Sequence, residues 1–445
     1  MKKTISTILF FVSLSCLAQQ TITPSNALDA YLKNGDNNYQ WSVRDSFQIA
    51  SVKGYNLYLT SQKWRQYTWR HQLTVLVPEK VEHDGALLFI TGGSNKDEVP
   101  NWKNNDDGMT VSIGKIATSN NAIVAILRQT PNQPLFGDRT EDEIISYTFH
   151  QFQGDGDYSW PLLFPMVKSA VRSMDAIQDF AKNTLKKPIN RFVVSGASKR
   201  GWTTWLTGSQ DKRVVAIGPM VIDMLNMPVS IQYHITAWGN YSVEIQDYVD
   251  LGFPQSMGSE SGRALTTMVD PYSYRKMLTM PKMIFIGTND PYWPVDAIKN
   301  YLDSIPGKNL IHYVPNAGHD LGDGKQALNA LSSFFGTTLQ NKAYPECDWK
   351  FSKKKGEIAL KIKASPDQLL DAIVWSADSQ DRDFRNETFA SRSLGVAKKA
   401  GVSARVPLPK SGFRAFYVDL KYQSPNSGSY TVSTRVFVSD KSGVL

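Results

Sequence analysis

A short apolar run, Phe192-Val-Val194, passes through Ser195-Gly-Ala-Ser198 into Lys199-Arg-Gly-Trp-Thr-Thr-Trp-Leu206. The first part reads as a buried strand, the last as a helix, and Gly196 to Ser198 as the tight turn between them. A serine on such a turn projects its hydroxyl clear of a sheet, and the helix behind it offers unpaired backbone N–H groups to a developing oxyanion. These residue types suit acyl transfer, with Ser198 as nucleophile and the Lys199 backbone N–H as one oxyanion donor. The usual G-x-S-x-G spacing is altered, because Arg200 stands where the second small residue belongs and Gly201 follows it. A βα turn that holds a serine by chance would look the same locally, so the reading depends on partners elsewhere in the chain.

An activated serine needs a base. After a leader is removed the chain offers His71, His83, His150, His234, His312 and His319. Only His319 falls in a loop behind a late strand, Leu310 to Val314, on the same sheet end as Ser198, so it is the expected general base. The base needs an orienting carboxylate. Asp290 closes the preceding strand, Lys282 to Gly287, and gives the chain order Ser, Asp, His; Asp223, behind Val214 to Ile222, is the rival. Asp290 has the alternative role of a helix N-cap, and Asp320 is too near the histidine in sequence to reach its ring. Gly92-Gly93-Ser94 follows the strand Ala86 to Ile90, and Gly93 or Ser94 is the expected second oxyanion donor. The Lys199 ammonium either adds positive charge to the site or is a solvated first-turn lysine. Trp202 and Trp205 share a helix face and read as core. No His-x-x-x-His, phosphate loop or dinucleotide fingerprint is present, so no metal or cofactor is expected.

Positioning these groups requires strands in alternation with helices. Helices are expected from Asp107 to Thr118, from Thr140 with a capping signature, and from Trp160 to about Lys182, where apolar residues recur near a 3.6 period. With the apolar strands at 86–90, 122–127, 192–194, 214–222, 282–287 and 310–314, the rhythm predicts a mostly parallel sheet with helices on both faces. Phe47 to Thr60 and Arg70 to Val77 read as an antiparallel hairpin at its edge. Residues 224–280 break the rhythm and read as a helical cap or insertion. Gly324 to Phe335 closes this part as a helix. Tyr344-Pro345 marks a boundary, and residues 346–445 read as a small antiparallel β-sandwich.

Residues 1–18 stand apart: Lys2-Lys3, an apolar core and Cys16-Leu-Ala18 form a secretory signal peptide, so a periplasmic or secreted protein is expected. Ser13 lies three residues before Cys16, where a lipid-anchoring signal has a Leu-like residue, so cleavage after Ala18 is the reading taken over a lipoprotein. Cys347 then remains as the single cysteine, and no internal disulfide is possible. Residues 19–345 hold 30 Lys and Arg against 30 Asp and Glu, whereas 346–445 hold 17 against 11. The basic excess of the tail suits either contact with an anionic surface or a solvated face. Nucleic acid is not an expected partner, and the chain carries no clue to oligomeric state.

At Gly196-Ala-Ser-Lys-Arg-Gly-Trp202, Gly287-Thr-Asn-Asp-Pro-Tyr-Trp293 and Asn316-Ala-Gly-His319 the chain resembles the PhoPQ-activated pathogenicity-related family. The resemblance covers nearly the whole mature chain. It implies an α/β-hydrolase fold at 19–344 and a serine nucleophile, and it names no substrate. The elbow also resembles that of glucuronoyl esterases, where an Arg follows the nucleophile; here the residue is Lys199. The expectation is an exported serine hydrolase acting on an ester or amide. The alternatives are a non-catalytic secreted binding protein on the same scaffold and a carbohydrate esterase. The last would be favoured by Trp160, Trp293 and Tyr233 lining an open cleft.

Overall fold

The computed structural model describes residues 21–396, 401–425 and 428–445; the leader with Cys16 and the pair Lys398-Lys399 lie outside them. After a short helix at Ala27–Leu32 come the antiparallel strands β1 (Gln40–Ile49), β2 (Val52–Trp64) and β3 (Tyr67–Pro78). β1 begins before the expected hairpin. It is mostly exposed, and a bulge between Val43 and Asp45 breaks its alternation, so its residues give little strand signal.

The parallel strands follow as β4 (Gly85–Ile90), β5 (Ile123–Leu127), β6 (Arg191–Ala197), β7 (Val214–Met220), β8 (Lys282–Gly287) and β9 (Asn309–Val314). The sheet order is β1-β2-β3-β5-β4-β6-β7-β8-β9, with every pair from β5 to β9 parallel. Helices α1 (Gly108–Asn120), α2 (Glu141–Asp155), α3 (Leu163–Phe180), α4 (Lys199–Gln210), α5 (Met227–Trp238), α6 (Glu260–Val269) and α7 (Lys325–Leu339) join them. This is an α/β-hydrolase fold.

The continuous apolar runs have a direct cause, since every residue of β4, β5 and β8 is buried. Successive residues serve opposite layers. Leu88, Ile90, Ala125, Leu127 and Val194 pack in one core with Met166, Met174 and Trp205 of α3 and α4. Leu87, Phe89, Val124, Ile126 and Val193 pack in the other with Ile113 of α1 and Leu331 and Phe334 of α7. Asp107 caps α1 by accepting from the Met109 and Thr110 amides. At α2 the expected capping box does not form. Thr140 makes no side-chain cap bond, and Glu141 beside it has φ 51° and is committed to other partners. Residues 224–280 are helical, with α5, α6 and short single turns between β7 and β8.

The tail forms β10 (Cys347–Lys354), β11 (Glu357–Ala364), β12 (Leu369–Ser379), β13 (Ala390–Gly395), β14 (Gly401–Pro407), β15 (Phe413–Gln423), β16 (Ser429–Ser433) and β17 (Phe437–Asp440). β10, β11 and β14 make one antiparallel sheet. Its inner residues Ile358, Leu360, Ile362 and Val406 share a core with Val374, Phe416, Val418 and Leu420 of the facing sheet. That facing sheet is not separate. β16 pairs with β9 at Ile311 and Ser433, so the order continues from β9 through β16, β15, β12 and β13. Hence the sheet runs on across Tyr344-Pro345, where the sequence changes character.

Candidate active site

Ser198 stands between the end of β6 and the first turn of α4 with φ 58° and ψ −127°. A non-glycine residue held there costs about 1–3 kcal/mol and persists only where its surroundings fix it. They do so on both sides. The Ser198 amide donates to the Met220 carbonyl at 2.9 Å, and the Ser198 carbonyl accepts from the Trp202 amide at 2.9 Å. The displaced glycine of the motif has the same origin. A Cβ on Gly201 would sit 2.6 Å from the Met220 carbonyl, so α4 packs onto β7 at residue 201 and leaves position 200 free for a long side chain.

The loops behind β8 and β9 bring Asp290 and His319 together. The Asp290 carboxylate accepts from His319 Nδ1 at 2.9 and 3.1 Å and from the Tyr292 amide at 2.8 Å. Asp290 is 3% exposed, so the bond is screened from water. The Tyr292 ring stacks on the imidazole at 4.0 Å between centroids. His319 Nε2, on the side away from the carboxylate, is buried and makes no hydrogen bond among the described residues. The ring is thus fixed at Nδ1, and no hydrogen bond joins Nε2 to the Ser198 hydroxyl.

Asp223 makes no hydrogen bond to His319 and has a different character. Burial, with repulsion from Asp290 and Asp296, pushes its pKa up to about 8 against the pull of the Tyr301 hydroxyl. It is therefore protonated at neutral pH and unsuited to stabilise an imidazolium. His71, His234 and His312 are buried, and burial holds each near a pKa of about 4, which makes them neutral core residues.

Gly93 follows β4, the strand that pairs with β6 in register Ile90 to Gly196, and has φ 144°. Ser94 is held by Asn101, whose side chain donates to its hydroxyl at 2.8 Å. The Lys199 amide opens α4, in the first turn whose N–H groups have no acceptor within the helix. Arg200 ties these two arms together. Its Nε donates to the Thr130 carbonyl at 2.6 Å, both terminal nitrogens reach Glu141 at 2.7 Å, and a Cβ on Gly92 would lie 2.5 Å from the guanidinium.

The Lys199 ammonium is neither solvated nor free. It is buried and paired with Glu141 at 2.9 Å and Asp142 at 3.1 Å, and Asp142 also accepts from the Tyr248 hydroxyl at 2.9 Å. Burial alone would raise the Glu141 pKa, yet Arg200 and Lys199 outweigh it and hold the value at about 2.

Ser198 and Lys199 border a pocket whose other walls are mostly apolar, including Trp202, Met224, Met227, Ile231, Phe253 and Trp293. Trp205 is core as expected, but Trp202 also lines this pocket, with its indole N–H bound to the Val269 carbonyl at 2.6 Å. Sequence reasoning assigns Tyr292 no role, although an aromatic ring two residues behind Asp290 in the Asp-Pro-Tyr-Trp run is a signal that could find it. Trp160 packs under the Arg65 guanidinium and Tyr233 is buried against Asp296, so Trp160, Trp293 and Tyr233 do not line one open cleft.

Residues 28–385 match the family model described as PhoPQ-activated pathogenicity-related protein. A relative, autocrine proliferation repressor protein A of Dictyostelium discoideum, is 31% identical over 94% of this chain and 89% of its own length. Among solved structures, acetyl xylan esterase 1 from Thermoanaerobacterium sp. is similar with a TM-score of 0.48 and 17% identity, covering 70% of this chain and 95% of that one. The acetyl xylan esterase from Paenibacillus sp. R4 gives 0.49 and 14%, covering 72% and 96%. A glucuronoyl esterase from Solibacter usitatus gives 0.45 and 12%, covering 71% and 91%. The family model spans Ser198, Asp290 and His319, and on that match the chain belongs to the PhoPQ-activated pathogenicity-related protein family.

Proposed function

We propose that the protein is an exported serine hydrolase that cleaves an ester or amide bond through Ser198, His319 and Asp290. The observation that carries this reading is the strained backbone at Ser198, spent on presenting one hydroxyl at a pocket beside a helix N-terminus. His319 Nε2 takes the Ser198 proton as Oγ attacks the carbonyl carbon, and Asp290 stabilises the imidazolium. The Lys199 amide and an amide of Gly93 or Ser94 receive the oxyanion. Collapse expels the leaving group with the proton from His319, and water repeats the sequence to release the acid. The apolar walls next to Ser198 favour a hydrophobic acyl or side-chain group over a sugar, and the dispersal of Trp160 and Tyr233 away from the pocket points the same way. The leader supports action outside the cytoplasm, and the basic tail suits a solvated face or contact with an anionic surface.

The test is labelling of the mature protein by a fluorophosphonate probe, beside Ser198→Ala and His319→Ala. Labelling is expected to require Ser198 and to fall by about 10³-fold or more without His319. Against p-nitrophenyl esters, each added methylene is expected to raise kcat/KM by roughly fourfold until the pocket is full. A folded wild type that does not react would turn the reading towards a binding protein on a hydrolase scaffold, a role closer to the name of the Dictyostelium relative.

A further inference from the structure

Residues 380–389 join β12 to β13 in the tail, yet their bonds run to the loops that carry the acid and the base. The Asn289 side-chain amide donates to the carbonyls of Phe384 at 3.0 Å, Arg385 at 3.2 Å and Glu387 at 2.7 Å. The Asn316 side chain donates to the Phe389 carbonyl at 3.0 Å and accepts from the Phe389 amide at 2.7 Å. Asn289 immediately precedes Asp290, and Asn316 lies three residues before His319.

The two loops are also bound to each other. The Asn289 amide donates to the Ala317 carbonyl at 2.9 Å, and Thr288 Oγ1 accepts from the Asn316 amide at 2.8 Å while donating to Asn289 Oδ1 at 2.8 Å. The tail segment itself is anchored, not draped. Phe384 and Phe389 are each 2% exposed, Phe389 packs against Tyr417 of β15, and Arg385 lies 4.2 Å over Trp238 at the end of α5.

Paired side-chain and backbone groups of this kind fix register and direction more than they add net stability. We propose that residues 380–389 are a positioning bracket that sets the Asp290 and His319 loops against each other, with Asn289 and Asn316 as its positioning residues. The tail is then a working part of the active site and not an appended module. The inference rests on the roles assigned above to Asp290 and His319.

The experiment uses the full mature chain with Asn316→Gly, which keeps the left-handed φ of 58° accessible but removes both bonds to Phe389, and with Asn289→Ala. Both variants are expected to lower kcat by roughly 10- to 100-fold with KM within about twofold, the signature of a misplaced base. The acid limb of the kcat/KM profile should also move, and the low-field proton resonance of the His319–Asp290 hydrogen bond should shift or broaden. Asn316→Asp, which keeps the acceptor for the Phe389 amide, should fall between wild type and Asn316→Gly. Folded variants with wild-type kcat, pH profile and resonance would overturn the bracket. A wild type inert to the probe would instead overturn the hydrolase reading, and the resonance would still decide the bracket. If Asn289→Ala fails to fold, the Asn316 pair decides it.

Discussion

Ser198 and Asp223 sit behind neighbouring strands of one sheet, and each is defined by what its surroundings impose. Ser198 is held in a backbone conformation that its side chain disfavours. Asp223 is 1% exposed and keeps a carboxyl protonated at neutral pH, with its pKa pushed up to about 8. The linkage has a definite sign. A folded-state pKa above the unfolded value of about 4 gives stability that is complete below pH 4 and is lost as pH rises towards 8. Burial pushes Asp270 and Asp419 up to about 7, which adds to the same trend. Asp223→Asn is therefore expected to leave Tm nearly unchanged at pH 4 and to raise it at pH 8. Thermal melts across that range check this, and a variant less stable than wild type at pH 8 would contradict it.

The start of α2 shows the same dependence one level up. Thr140-Glu-Asp-Glu spells a capping box, yet Thr140 makes no cap bond and Glu143 pairs with Arg139, while Glu141 turns to Arg200 and Lys199 and joins the elbow helix to α2. Its pKa of about 2, set by those cations against the opposing effect of burial, implies stability that is present above the ordinary carboxylate range and is lost as pH falls from about 5 to 2. Glu141→Gln leaves Arg200 and Lys199 short of one anion. Because the carboxylate is 39% exposed, the expected cost is about 1–3 kcal/mol, below that of breaking a fully buried pair. Urea unfolding at pH 7 measures it, and the difference from wild type should shrink as pH falls towards 2 and vanish only below that. Labelling of Ser198 should also slow, because Lys199 and Arg200 behind it lose a shared anchor.

For the whole molecule, the decisive contact is β9 against β16. Residues 19–344 alone would leave β9 as an open edge and uncover Tyr313, whose ring packs at 5.0 Å against Tyr417 of β15, and each such buried side chain contributes about 1.5–3 kcal/mol. A fragment that ends at residue 344 is expected to be insoluble or to melt far below the full chain. A soluble fragment with wild-type Tm and labelling would show that the tail is dispensable.

The sequence by itself determined the parallel core. Ala86 to Ile90, Ile123 to Leu127 and Lys282 to Gly287 are buried on both faces, and burial on both faces leaves an unbroken apolar run that can be read directly. It also located Ser198, Asp290 and His319 as candidates, because each follows the carboxyl end of a recognisable strand. What it did not contain was any signal for contacts between distant segments. The sequence favoured Asp290 and kept Asp223 as a rival strand-ending acid, and only their surroundings separate them, one facing an imidazole and the other buried and repelled by two carboxylates. The Lys199 ammonium had two readings, and two acids on α2 decide against the solvated one. The half-exposed β1 lacked a pattern to read, and the junction of β9 with β16 depends on residues more than a hundred positions apart. Local pattern records which faces are buried, whereas the partner of a charge, the end of a sheet and the bracing of a loop are settled only when the chain has folded onto itself.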